Sequence, residues 1–254
     1  MKRLTVGTMK LVSVFLILLW GSLAGAGEQP LHEAWGALLK VYVNNGVVDY
    51  QGFKKDEAAL DSYLASLNRI NPDELSPDAQ LAFYINAYNA YTVKLIVDNF
   101  SEGRPPSSIK RIGGLFSSPW KIKFAGINGE QLSLDAIEHG IIRVRFAEPR
   151  IHFAVNCASK SCPPLLAVPY RGETIDAQLT GATQAFLEDQ EFNYLADSIL
   201  HLSPIFKWYD EDFKAGPVAF FGKYTSAETQ AKLRAAGTPI RVKYLDYDWS
   251  LNGR

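Results

Sequence analysis

Cysteine and histidine are scarce in this chain: 254 residues carry two cysteines and four histidines. A structural zinc site wants four ligands, in paired Cys-x2-4-Cys or His-x3-5-His sets. One cysteine pair and four scattered histidines supply no such set, and no His-Glu-x-x-His occurs. No metal and no other cofactor is therefore expected. An excess of one charge sign is also lacking, with 26 Lys and Arg against 27 Asp and Glu. Nucleic-acid binding depends on neutralising many phosphates, so this balance argues against a nucleic-acid partner. There is no internal repeat and no low-complexity tract. A single long apolar run is present, at the N-terminus, so no other segment is expected to be embedded in a membrane.

That run is LVSVFLILLW, and Lys10 is the last charge before it. Lys2 and Arg3 open the chain, and Ala24-Gly25-Ala26 follows the run. This is the pattern of a secretory signal peptide. Leu11 to Trp20 is too short to span a ~30 Å hydrocarbon core comfortably, so cleavage after residue 26 is expected rather than a permanent anchor. No cysteine follows the run, so a lipid-modified N-terminus is not indicated. Residues 27–254 are then expected to be a periplasmic or secreted protein of one globular domain, with no stable membrane span.

Apolar spacing predicts a helix from Leu31 to Val43, stopped by Asn44-Asn45-Gly46, then a short extended VVDYQGF. A second amphipathic helix is predicted from Asp56 to Ile70. Ser76 as N-cap and Pro77 at the first position begin a third, running to about Phe100. It is apolar nearly all round and so should be central. Asn86 and Asn89, three apart, share one face of it and must find partners if buried. A hairpin is predicted about Asn128-Gly129, and a helix capped by Ser133 and ended by Pro149. Glu138 and His139, adjacent on that helix, point apart and read as a solvent-exposed pair. IHFAVN reads as a buried strand, with His152, Ala154 and Asn156 on one face. Helices from Thr174 to Asp189, Gly216 to Lys223 and Ala227 to Ala236 follow. A strand pair near Tyr194 to Leu202 and a last strand from Pro239 to Leu245 complete the order. The class is α+β: helix-rich, with the long helix packed on a small, mostly antiparallel sheet.

Both cysteines fall in RIHFAVNCASKSCPPL. Outside the cytoplasm two thiols tend to oxidise. A Cys157–Cys162 disulfide is the expectation, stabilising by roughly 2 kcal/mol because its loop is short. A free, reactive thiol is the alternative. A thiol enzyme needs an imidazole in reach and a third group to orient it. His152 is the candidate base, with Asn86, Asn89 or Glu138 to orient it, and Arg143 is expected to pair with Glu138 or Asp212.

Five motifs stand in one order: AFYINAYNAYTVKLI, LSLDAIEHGIIR, RIHFAVNCASKSCPPL, IFKWYDEDF and YDWSLN, with GVVDYQGF upstream. Together they resemble the domain-of-unknown-function 547 family in its exported bacterial form, from about Val47 to the end. The resemblance supplies no activity. It implies which positions to examine: Asn86, Tyr88, Asn89, Glu138, Arg143, His152, Cys157 and Cys162. Lys207, Trp208, Tyr209 and Asp212 join them, with Tyr247, Asp248, Trp249 and Asn252 near the end. Two functions are carried forward. One is an envelope module binding a peptide, glycan or protein through the aromatic candidates. The other is a cysteine- and histidine-dependent hydrolase or acyl transferase with a papain-like or transglutaminase-like site. Against the second, such enzymes place the cysteine at the start of the central helix, and here that helix has none.

Overall fold

Pro77 and the Ser76 hydroxyl, which accepts from the Ala79 N–H, start a helix that reaches Asp98. It is the fourth α-helix, α4, of a computed structural model that describes residues 28–114, 118–237 and 239–253. The signal-peptide expectation, residues 1–26, lies outside the described residues. Buried side chains run almost without a break from Leu81 to Val97 of α4. A helix apolar all round is stable only when surrounded, and α4 is. It packs against α1 (Glu28–Tyr42), α2 (Tyr50–Lys55), α3 (Glu57–Leu67) and α6 (Ile175–Glu188). Among the described residues, no helix is long and apolar enough to cross a membrane.

Among the described residues the strands are short and form three separate sheets. β1 (Val43–Asn44) and β2 (Val47–Val48) are one antiparallel pair. β3 (Ala125–Ile127) and β4 (Glu130–Leu132) are another, joined at Asn128 and Gly129 with φ of 50° and 78°. Those positive angles are what an Asn-Gly hairpin turn requires. β5 (Tyr194–Ala196), β6 (Ile199–Leu202) and β7 (Arg241–Tyr244) make a mixed sheet, antiparallel then parallel. The chain is thus α+β, as predicted, but α4 has chiefly helices for neighbours.

Two local predictions are corrected. VVDYQGF is extended only over β2, because the Asp49 side chain accepts from Gly52 N–H and starts α2. IHFAVN is no strand: Pro149–Phe153 is a 3₁₀ helix, with Pro149 at its first position and the Glu148 side chain accepting from Arg150 N–H. The alternation of apolar residues there has a different origin. Ile151, Ala154 and Val155 join the large core about α4, while Phe153 joins a second cluster with Phe186, Phe206 and Phe220. His152 is therefore carried on a strap between two cores.

Candidate functional site

Asn86 and Asn89 do not orient His152. Asn86 donates to Tyr170 O at 2.7 Å and accepts from Tyr170 N–H at 2.9 Å. Asn89 donates to Ala154 O at 3.0 Å and accepts from Asn156 N–H at 2.8 Å. Each amide bolts α4 to buried main chain that has no strand partner. Leaving such groups unpaired costs about 1–3 kcal/mol apiece, which explains polar residues on this face. The prediction that α4 and the His152 segment touch is correct, through Asn89. The expected His152–Asn pair is replaced by a carboxylate.

That carboxylate is Asp212, after α7 (Ile205–Trp208). His152 Nε2 lies 2.6 Å from Asp212 Oδ2, and the same oxygen accepts from Arg143 Nε at 2.6 Å. Arg143 also pairs with Glu211 and reaches His139 Nδ1 at 2.9 Å. Burial opposes the Asp212 charge, but Arg143 and His152 outweigh it and its pKa is lowered. Burial also dominates at His152, pulling its pKa down against the opposing pull of Asp212 and Glu138. The imidazole is thus neutral at pH 7. Because a carboxylate only accepts, its proton sits on Nε2 and the lone pair on Nδ1.

Glu138 lies on the other side of the ring, its Oε1 4.0 Å from His152 Nδ1. It stands on a π-helical turn, Ala136–Ile142, that runs on into α5 (Arg143–Phe146). The wider turn corrects the exposed-pair prediction: Glu138 is buried and His139 half-buried, and both line one cavity. π-turns inside helices are frequent at functional sites. Tyr209 stacks on His152 with ring centres 3.9 Å apart.

The thiols correct the disulfide prediction, for both Cys157 and Cys162 are free. The Cys157 N–H donates to Cys162 Sγ at 2.9 Å, so the second sulfur caps main chain. Cys157 Sγ turns instead to Ser159 Oγ at 3.1 Å and Tyr247 Oη at 3.2 Å. Burial raises the cost of a Cys157 thiolate, but donors at Cys162, Ser159 and Tyr247 more than offset this, and its pKa is lowered. Burial, then the neighbouring Cys157, push Cys162 well up. The two sulfurs are therefore unequal: one half-exposed with its pKa lowered, one buried with its pKa raised. Ala158, next to the first, has φ of 59°. That left-handed turn is held by Asn156 Oδ1, which accepts from Ala158 N–H at 2.9 Å, and by Asn252 N–H donating to Ala158 O at 3.3 Å. Such strain collects at functional sites.

Cys157, Cys162, His152 and Glu138 share the cavity, of about 230 Å³, with Tyr88, Trp208, Tyr209, Tyr247 and Trp249. Among the described residues Cys157 Sγ is not hydrogen-bonded to His152; the two face a common space. Other predicted positions stay out of it. Lys207 is exposed, and Asp248 accepts from Ser250 N–H in a local turn. Asn252 is a bolt, accepting from Tyr50 Oη and donating to Asn156 Oδ1. The sequence reading missed Ser159, Trp120 and Asp135. Ser159 was available as one of three polar residues between the cysteines; nothing local marked Trp120 or Asp135. Among the described residues, no group of three or more His, Cys, Asp or Glu is placed to hold a metal ion.

Fold and cleft together define an α+β protein with a cysteine, a histidine and a carboxylate gathered under an aromatic wall. Residues 72–187 match the family described as protein of unknown function, DUF547. The match takes in α4, Glu138, His152 and both cysteines, while Asp212, Tyr247 and Trp249 lie beyond it. No curated protein and no solved structure matches the chain.

Proposed function

We propose that the protein is a cysteine-dependent acyl-transfer enzyme, a hydrolase or acyl transferase, with Cys157 as nucleophile and His152 as base. One observation carries the reading. An ionisable thiol and a neutral imidazole line the same cleft, and the imidazole is oriented by Asp212 so that its free nitrogen is Nδ1. Asp212 holds the tautomer and stabilises the imidazolium that forms when His152 takes a proton. Nucleophile-to-base contacts are often long without substrate and tighten when it binds, so a shared cleft suffices as the resting geometry. Tyr247 Oη, already beside the sulfur, supplies a donor for charge that develops there. The N-terminal pattern supports export as part of this proposal, with the reaction taking place in the cell envelope or outside it.

A second reading, a module binding a peptide, glycan or envelope protein, is supported by the aromatic wall. Trp208 is 46% exposed and stacks on Trp249 at 5.7 Å. The two readings separate on mixing the protein with p-nitrophenyl acetate. The enzyme reading expects a stoichiometric burst of nitrophenolate and an acetyl group on Cys157, found by peptide mass spectrometry. Cys157→Ser should abolish the burst, and His152→Asn should slow it by roughly 10²-fold or more. Equal release by wild type and Cys157→Ser would leave only the binding module.

A further inference from the structure

Two buried acceptors face each other in the cleft with no donor between them. His152 Nδ1 and Glu138 Oε1 are 4.0 Å apart, on side chains 1% and 5% exposed. Neither atom has a hydrogen-bond partner among the described residues. Buried polar atoms are normally paired, so such a couple marks a missing donor. The number of hydrogens needed narrows its chemistry. One species must donate twice, which an alcohol with its one O–H cannot do, whereas a water with two O–H and an alkylammonium with three N–H can.

The surroundings favour a cation. Tyr209, Tyr247, Trp208 and Trp249 line the space, and aromatic rings attract ammonium groups. The outer end of this wall already takes one: Lys110 Nζ lies 3.8 Å from the Trp249 ring centre. The nearby Arg143 charge is matched by Asp212 and Glu211, and among the described residues no Lys or Arg pairs with Glu138.

We propose that this end of the cleft is an amine site, and that the acyl group carried by Cys157 passes to a primary alkylamine held between Glu138 and His152. The inference rests on the acyl-transfer reading above and names its acceptor. The proton count agrees with the two acceptors. An alkylammonium gives one proton to Glu138 Oε1 to become a free amine. The amine nitrogen then attacks the thioester carbon; the C–N bond forms, the C–S bond breaks, and Cys157 leaves as thiolate. The second amine proton goes to His152 Nδ1, and the product is a secondary amide.

The test has a binding arm and a turnover arm. Intrinsic tryptophan fluorescence of the Cys157→Ser protein is titrated with n-butylammonium, n-butyltrimethylammonium and n-butanol. Saturable binding of n-butylammonium is expected, at least about tenfold tighter than the other two, because neither of them can make both charge-assisted hydrogen bonds. Glu138→Gln should weaken n-butylammonium by a similar factor. Equal binding of the quaternary ion or the alcohol overturns the amine site with no folding question, because all three ligands are compared on the same Cys157→Ser protein; equal binding by a folded Glu138→Gln does so too. In the second arm, wild-type protein acetylated by p-nitrophenyl acetate is chased with n-butylamine. N-butylacetamide should appear in proportion to site occupancy. Acetyl-Cys157 that is only hydrolysed refutes the acceptor assignment and leaves the acyl-transfer reading intact. Amine binding with no acetyl-Cys157 refutes acyl transfer and leaves an amine-binding cleft.

Discussion

His152 Nε2 and Asp212 Oδ2 are 2.6 Å apart, although sixty residues separate them in the chain. The same oxygen holds Arg143, so one carboxylate fixes both a ring and a guanidinium. Burial alone makes His152 a weaker base; Asp212 opposes that and decides which nitrogen carries the proton. Asp212→Asn keeps the shape but presents an amide that can donate, which favours the wrong tautomer. Acetylation of Cys157 by p-nitrophenyl acetate should fall roughly 10²- to 10⁴-fold, with the melting midpoint shifted far less than the rate. An unchanged rate would remove His152 from the mechanism.

The Tyr247 hydroxyl sits 3.2 Å from Cys157 Sγ and 2.9 Å from Ser159 Oγ. It is one of the donors that hold the Cys157 pKa below that of an ordinary thiol despite burial. Tyr247→Phe removes it. The pH midpoint for iodoacetamide alkylation of Cys157 should rise by about one unit, as the loss of one hydrogen bond to a charged group implies. In wild-type protein that has never been reduced, peptide mapping should find Cys157 alkylated first and Cys162 slowly. A chain that reacts only after reduction would restore the disulfide.

A third expectation concerns stability. His32 is fully buried, its Nδ1 2.9 Å from Tyr63 Oη, and burial chiefly, then Arg171, pull its pKa to about 3. Its folded value lies below the unfolded 6.5, so the unfolded chain binds the extra proton. The stabilisation is therefore complete above pH 6.5 and declines as pH falls toward 3, at up to about 1.4 kcal/mol per unit. His152, lowered for the same first reason, adds a loss of the same sign. Urea midpoints from pH 7.5 to 4.5 should fall in wild type and fall less steeply in His32→Leu. Parallel slopes would mean that His32 is protonated in the fold.

The sequence pattern made α4 legible because every local signal agreed: Ser76 cap, Pro77, unbroken apolar character and two amides on one face. The Asn128-Gly129 hairpin was legible for the same reason. The 149–156 segment was not. Alternating apolar residues looked like a strand, yet they divide between two cores, and Pro149 with the Glu148 cap sets a 3₁₀ turn. Local pattern shows which residues are buried but not against what. The site was legible in membership more than in pairing. His152, Glu138, Arg143 and Asp212 were all singled out, but the choice of Asp212 over Asn86 or Asn89 depends on tertiary contacts between distant segments. The state of the cysteines was not legible, because it depends on local geometry in which the Cys157 N–H claims the Cys162 sulfur.

The last prediction concerns the C-terminal tail, which holds the thiol loop in place. Lys160 N–H donates to Ser250 O, Ser161 N–H to Asp248 O, and Val48 N–H to Asn252 O. Gly253 ends this run against β2. A Cβ there would lie 2.0 Å from Val48 O and 2.9 Å from the Tyr50 ring. One partner is backbone, so relief needs movement of the tail itself. Gly253→Ala should therefore destabilise by about 1–3 kcal/mol, the usual cost of overpacking. Tyr50 also donates to Asn252, and Asn252 holds the Ala158 turn, so the displacement should reach Cys157. Differential scanning calorimetry reads the first effect. A raised midpoint for Cys157 alkylation reads the second. A variant that melts as wild type does, with an unmoved thiol, would show that the tail does not brace the cleft.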